Sequence, residues 1–239
     1  MIDLYTWPTP NGHKVHIMLE ETGLPWTVHP INIQAGDQFK PDFLKISPNN
    51  KMPAMVDQDG PGGKPISIFE SGAILIYLAN KTGQFLPKDE HKRYDVLQWL
   101  MFQMASVGPM LGQAHHFNAY APERVPREKV QYGIDRYVNE GHRIYGVIDR
   151  QLKGKEWIAA GEYTIADMAI FPWLRDPVKQ GVDIAKFPDL QRWRDKIWKR
   201  PQVEKALETL AEHRRVSNAH SDKAWDIMFG KTQARQGAA

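Results

Sequence analysis

The apolar pattern of this chain changes period near Gln84, and that change restricts the fold more than any other feature. Upstream, short apolar runs alternate with helical repeats; downstream, apolar residues recur every three or four positions. Residues 2–5 read as a strand. Residues 13–22 read as a helix, with Val15, Met18 and Leu19 at helical spacing and Gly23 as its stop. Residues 27–33 suit a strand weakened by Pro30, and residues 41–47 a short helix carrying Phe43, Leu44 and Ile46. Two further strands, 54–57 and 66–69, are joined through Gly-Pro-Gly-Gly, and a helix over 71–82 ends at Gly83. The order βαβ-α-ββα predicts a mixed four-stranded sheet with helices packed on it.

Everything after the segment 84–91 reads as helical. Residues 94–104 form one helix, which Gly108-Pro109 must kink or interrupt. Pro126 suits a first helical position, and Ile134, Tyr137, Val138, Gly141, Ile144, Ile148 and Leu152 follow with helical periodicity. Further helices fit 165–178, 190–199 and 202–213. We therefore expect an α/β domain over 1–83, a linker over 84–91, an all-helical domain over 92–213 and a tail over 214–239. Trp225, Ile227, Met228 and Phe229 favour docking of that tail.

Composition narrows the chemistry. The chain has 239 residues, 25% of them charged, and no cysteine. Disulfides, thiolate metal sites and a cysteine nucleophile of its own are therefore excluded. Residues 1–83 carry six Lys, no Arg and eight acidic residues, and the net positive charge lies in the remainder. That imbalance supports two domains but is too diffuse for a nucleic-acid face. No apolar run approaches the ~18 residues of a membrane helix, and the segment MIDLYTW lacks signal-peptide regions. A cytoplasmic location without membrane or nucleic-acid partners is the expectation.

Several short stretches have the residue types of a binding site. WPTPNGHK, residues 7–14, joins the first strand to the first helix and holds Thr9 between two prolines, then Asn11-Gly12. A strand entering a helix through a proline-bearing turn is where thioredoxin-like folds place reactive cysteines. In NKMPAM, Pro53 stands just before a strand, either as an edge entry or after a cis Met52–Pro53 bond. In FESGAI, Ser71 is a candidate N-cap beside Glu70, so an anion site at a helix N-terminus adjoins an acceptor for an ammonium. Gln38 and Lys51 lie in polar loops and could meet a carboxylate or only water. His115 and His116 are adjacent rather than four apart, which argues against a helix-borne metal site, and no metal is expected. Thr164 and Asp167 match a capping box, a structural device.

Together, TPNGHK, ISPNNKMPA, FESGAI, GPMLGQAHHF and YTIADMAIFPW resemble a cytosolic glutathione transferase, more narrowly the nu-class, bacterial disulfide-bond oxidoreductase branch. The resemblance runs in order from Met1 to about Leu210. It implies a thioredoxin-like domain followed by an all-helical domain, a homodimer, and glutathione as co-substrate, as one or two molecules per site or as glutathione disulfide. Carried over, Glu70 and Ser71 would hold the γ-glutamyl end, and Met52, ahead of a cis Pro53, the cysteinyl backbone. Gln38 and Lys51 would approach the glycyl carboxylate, Thr9 and Asn11 the sulfur. Arg136 would reach the partner subunit's site.

The implied activity is glutathione-dependent disulfide exchange with small or peptide disulfides, with transferase or peroxidase side reactions. Two alternatives stand beside it. One is conjugation of apolar electrophiles, with Phe102, Met110, His115, His116, Phe117 and Trp173 as an acceptor pocket. The other is a binding or regulatory protein without catalysis.

Overall fold

The first strand, β1 (Ile2–Thr6), is the spine from which the sheet grows, because its alternating side chains serve both faces. The computed structural model describes residues 1–213 and 220–234. β1 is followed by α1 (Pro10–Thr22), β2 (Trp26–Pro30), α2 (Pro41–Ile46), β3 (Ala54–Asp57), β4 (Ile66–Phe69) and α3 (Ser71–Thr82). The strands lie in the order β2-β1-β3-β4, with β1 and β2 parallel and the other pairs antiparallel. Ile2 is opposite Trp26 on one side and Asp57 on the other. This is the mixed sheet that the alternating pattern predicts.

On one face, Leu4 and Met55 pack with Val15 and Met18 of α1 and with Leu75 and Leu78 of α3. On the other, Tyr5, Ile31, Phe43 and Ala54 form a smaller cluster under α2. α1 starts three residues earlier than its apolar repeat suggests. Thr9 caps it and Pro10 occupies its first turn, so Asn11 is helical rather than part of a loop. β2 stops at Pro30, three residues short of the expected end, because proline has no N–H for the ladder.

The second domain opens with α4 (Glu90–Phe102), capped by Asp89. The expected break at Gly108-Pro109 is absorbed rather than made. Five residues of wider π-type helix, Gln103–Val107, lead directly into α5 (Gly108–His115), so the missing proline N–H interrupts no bond. α6 (Arg127–Leu152) follows, with Pro126 one position before its first residue. α7 (Ile165–Ile170) is far shorter than the expected 165–178, since Pro172 turns the chain into a 3₁₀ segment over Phe171–Leu174. α8 (Pro188–Trp198) and α9 (Pro201–Glu208) complete the bundle.

Thr164 and Asp167 form the capping box at the start of α7. Asp167 also accepts from the Ile158 amide at 3.1 Å and the Trp193 indole at 2.8 Å, in the middle of the core. The two domains are joined along α1, where Arg200 donates twice to Glu21 at 2.6 and 2.9 Å and Lys205 pairs with Glu20 at 2.7 Å.

Of the tail, residues 214–219 and 235–239 lie outside the described residues. α10 (Asp222–Phe229) docks as its apolar residues predict: Trp225 and Phe229 pack on the His116 ring at 5.7 and 4.8 Å. Arg124 secures its start through Asp222 and the His220 carbonyl.

Candidate active site

A cavity of about 850 Å³ opens between the domains, and the turn after β1 forms one wall. That is towards the upper end of the ~300–1,000 Å³ usual for small-molecule sites. The turn is tight because Gly12 lets it be. A Cβ at Gly12 would lie 2.1 Å from the Trp7 carbonyl oxygen, so no other residue fits. Trp7 is buried, with its ring stacked on His213 at 4.7 Å, which braces the turn from the second domain.

Thr9 Oγ1 accepts from the Gly12 amide at 3.4 Å and donates to Met52 Sδ at 3.7 Å. A thioether is a weak acceptor, so that hydroxyl proton is easily redirected to a better one. Asn11 is oriented from the other domain. The Trp173 indole, which can only donate, gives its N–H to Asn11 Oδ1 at 3.0 Å. The side-chain amide of Asn11 is thereby fixed with its NH₂ as the remaining polar group. Two donors, one hydroxyl and one amide, stand at the position where a redox turn would carry its thiols.

The other expected residues gather around the same cavity. Gln38, Lys51, Met52, Pro53, Glu70 and Ser71 all line it. The Met52–Pro53 peptide bond is cis. Gln38 is buried and donates to the Ile33 carbonyl at 3.2 Å, which sets its amide orientation and leaves a second N–H. Lys51 is exposed, and its carbonyl accepts from Ser47.

Ser71 does not cap α3. The N-cap position belongs to Glu70, at φ 69°, with no side-chain cap bond, and Ser71 is the first helical residue. The first-turn amides of α3 are thus left without a side-chain acceptor, an arrangement that favours an anion. Arg136 is the exception among the candidates. It sits on α6 outside this cavity, 4.0 Å from Glu140.

Of the residues expected to receive an electrophile, only His115 and Trp173 line the cavity. Phe102 and Met110 pack against the main core instead. Phe117 stacks on Tyr137 at 5.3 Å, and His116 is engaged by α10. Burial pushes the His115 imidazole down to about 4, so it is neutral at physiological pH.

Sequence reasoning missed two contributors. The tail supplies Ile227, Met228 and Phe229 to the wall opposite the first domain. Lys14 is almost fully buried at the base of the cavity. The signal for it was available: Lys14 shares its helical stripe with Ile17 and Met18, the buried side of α1.

A family model described as the glutathione S-transferase N-terminal domain matches residues 9–81, and one described as the C-terminal domain matches residues 107–201. The disulfide-bond oxidoreductase YfcG of Escherichia coli strain K12 is 47% identical over 208 residues, covering 87% of this chain and 94% of that protein. The chain belongs to the glutathione S-transferase family. Among solved structures, a glutathione transferase family member from Pseudomonas fluorescens, crystallised with two glutathione bound, superposes with a TM-score of 0.81 at 48% identity. The match covers 87% of this chain and 92% of that one. A glutathione transferase from Pseudomonas putida, with one glutathione disulfide bound per subunit, gives 0.82 at 47% identity, covering 87% and 90%. In this member of the family the family-model match ends at residue 201, so α10 and the wall it supplies lie beyond it.

Proposed function

We propose that this protein is a glutathione-dependent disulfide-bond oxidoreductase in which bound glutathione supplies the reacting thiol. The observation that carries this reading is the pair Thr9 and Asn11, donors without acid–base capacity near neutral pH, in a turn of a chain with no cysteine. A free thiol titrates near ~8.5, so little of it is thiolate at pH 7. A hydroxyl and an amide donating to the sulfur stabilise the anion and lower that value. The likeness to YfcG and to structures holding glutathione or its disulfide supports the same reading.

The thiolate attacks one sulfur of a substrate disulfide; a sulfur–sulfur bond forms to glutathione and the other substrate sulfur leaves as thiolate. A second glutathione thiolate then attacks the mixed disulfide, releasing the remaining substrate thiol and glutathione disulfide. Two electrons pass from two glutathiones to one substrate disulfide, and the protein is unchanged.

In this scheme Glu70 accepts from the γ-glutamyl ammonium, while Ser71 and the open first turn of α3 receive its carboxylate. Met52 and Pro53 meet the cysteinyl backbone, and Gln38 with Lys51 the glycyl carboxylate. The protein works as a homodimer, with Arg136 of one subunit directed to its partner's cavity.

The test is glutathione-dependent reduction of hydroxyethyl disulfide, measured beside conjugation of chlorodinitrobenzene. Fast reduction with negligible conjugation is expected. The reverse profile would overturn the proposal in favour of a conjugating transferase. Inactivity in both, with no glutathione binding by calorimetry, would point to a binding module.

A further inference from the structure

Lys14 is a buried amino group whose hydrogen-bond partners are all neutral. It is 1% exposed. Its Nζ donates to Gln103 Oε1 at 2.6 Å, to Ser71 Oγ at 3.2 Å and to Met104 Sδ at 3.6 Å. Among the described residues it takes part in no ion pair. An ammonium held this way, away from water, has lost its hydration and has no hydrogen-bonded counter-charge.

The missing anion has an obvious place. Ser71 Oγ, which accepts from Lys14, opens α3, whose first turn has no side-chain cap. With one lone pair held by the lysine, the Ser71 hydroxyl keeps its proton for another partner; among the described residues that partner is Met104 Sδ, at 3.6 Å.

We propose that Lys14 is a positioning residue of the glutathione site, acting through Ser71, and that it takes up a proton from solvent when the γ-glutamyl carboxylate binds. This rests on the glutathione reading above. The lysine is largely an amine in the empty protein and an ammonium in the complex, where the carboxylate supplies the absent charge. Burial pulls Lys14 down to about 7, and the field of Glu70 pulls it partly back.

Three acidic groups around α1 are engaged elsewhere. Asp167 of α7 sits in its capping box, while Glu20 and Glu21, on the far end of α1, hold Lys205 and Arg200. His13 and Arg175 share the cavity wall, and His16, on the other flank, bonds to Thr6.

The experiment is calorimetric titration with S-methylglutathione at pH 7.5, in two buffers of different ionisation enthalpy. The methylated ligand has no thiol to release a proton. With Lys14 near 7, about three quarters of the sites start uncharged, so uptake approaching ~0.7 proton per site is expected.

Lys14→Arg, charged at every accessible pH, should bind with uptake near zero. Lys14→Met should lose at least about tenfold in affinity and show no uptake. Equal uptake by the wild type and Lys14→Arg would assign the proton to another group and overturn the proposal. So would wild-type affinity in Lys14→Met. Absence of any binding by the wild type would instead remove the glutathione reading, and this proposal with it.

Discussion

Asn11 shows how one side chain acquires its orientation from a contact 162 positions away. Its carbonyl oxygen is occupied by the Trp173 indole, so the amide presents donors to the cavity instead of rotating between two orientations. A hydrogen bond to a charged acceptor contributes roughly 1.5–3 kcal/mol. Replacing Asn11 with Ala should therefore raise the titration midpoint of the bound glutathione thiol by about 1–2 pH units. Trp173→Phe, which frees the amide to rotate, should raise it by less. The thiolate absorbance of the complex, followed against pH, reads both shifts; an unmoved midpoint in Asn11→Ala would remove this residue from the chemistry. Lys14, three residues further along the same helix, belongs to the same scale. A lysine on an apolar stripe invites dismissal as a side chain that reaches back to water, yet this one remains inside.

At the level of single elements, α7 is the clearest case of local chemistry deciding tertiary structure. Its capping box is fully buried, and the Asp167 carboxylate satisfies backbone N–H groups at Ile158 and Thr164 as well as the Trp193 indole. Asp167→Ala leaves those donors unpaired in the core, at ~1–3 kcal/mol each. A loss of at least about 3 kcal/mol in urea unfolding is expected. Burial also pushes the Asp167 carboxyl up to about 6, against hydrogen bonds that pull it down. In the unfolded chain an aspartate titrates near ~3.9, so the folded state holds the extra proton between those values. The associated stability is present below about 3.9 and is lost as pH rises through about 6. Asp167→Asn should abolish that segment of the pH–stability curve; an unchanged curve would contradict the assignment.

Thr164 and Asp167 were legible in the sequence because a capping box is written in adjacent residues. So were β3, β4 and α3, whose ends coincide with Gly, Pro and turn residues. The cis Met52–Pro53 bond was legible only through the family resemblance, and the handover of the N-cap from Ser71 to Glu70 and the Trp173–Asn11 bond were not legible at all. Each depends on atoms that sequence distance does not bring together, or on a backbone geometry that several residues share.

Considered whole, the molecule is two domains whose seam is also its site. α1 carries Asn11 and Lys14 on the seam and Glu20 and Glu21 at its end, so the ion pairs with Lys205 and Arg200 register the very helix that presents the donors. The tail closes the far side: Ile227 lies against the loop at Gly36 of the first domain, while Trp225 and Phe229 rest on His116 of the second. Removing residues 220–239 should leave the fold intact, as judged by circular dichroism, and widen the cavity. The ratio of kcat/KM for a bulky glutathionylated peptide to that for hydroxyethyl disulfide should then rise several-fold. An unchanged ratio would show that the tail does not limit access.

The turn without thiols has one more consequence. An enzyme that keeps its own cysteine pair stores electrons between encounters and has a reduction potential; this one stores none. Its direction is dictated entirely by the surrounding ratio of thiol to disulfide, so it conducts and never accumulates. Its susceptibility to oxidants moves accordingly. The oxidisable sulfur that the chain brings to the cavity is thioether, in Met52, Met104 and Met228, and the sulfoxide of each is open to enzymatic repair.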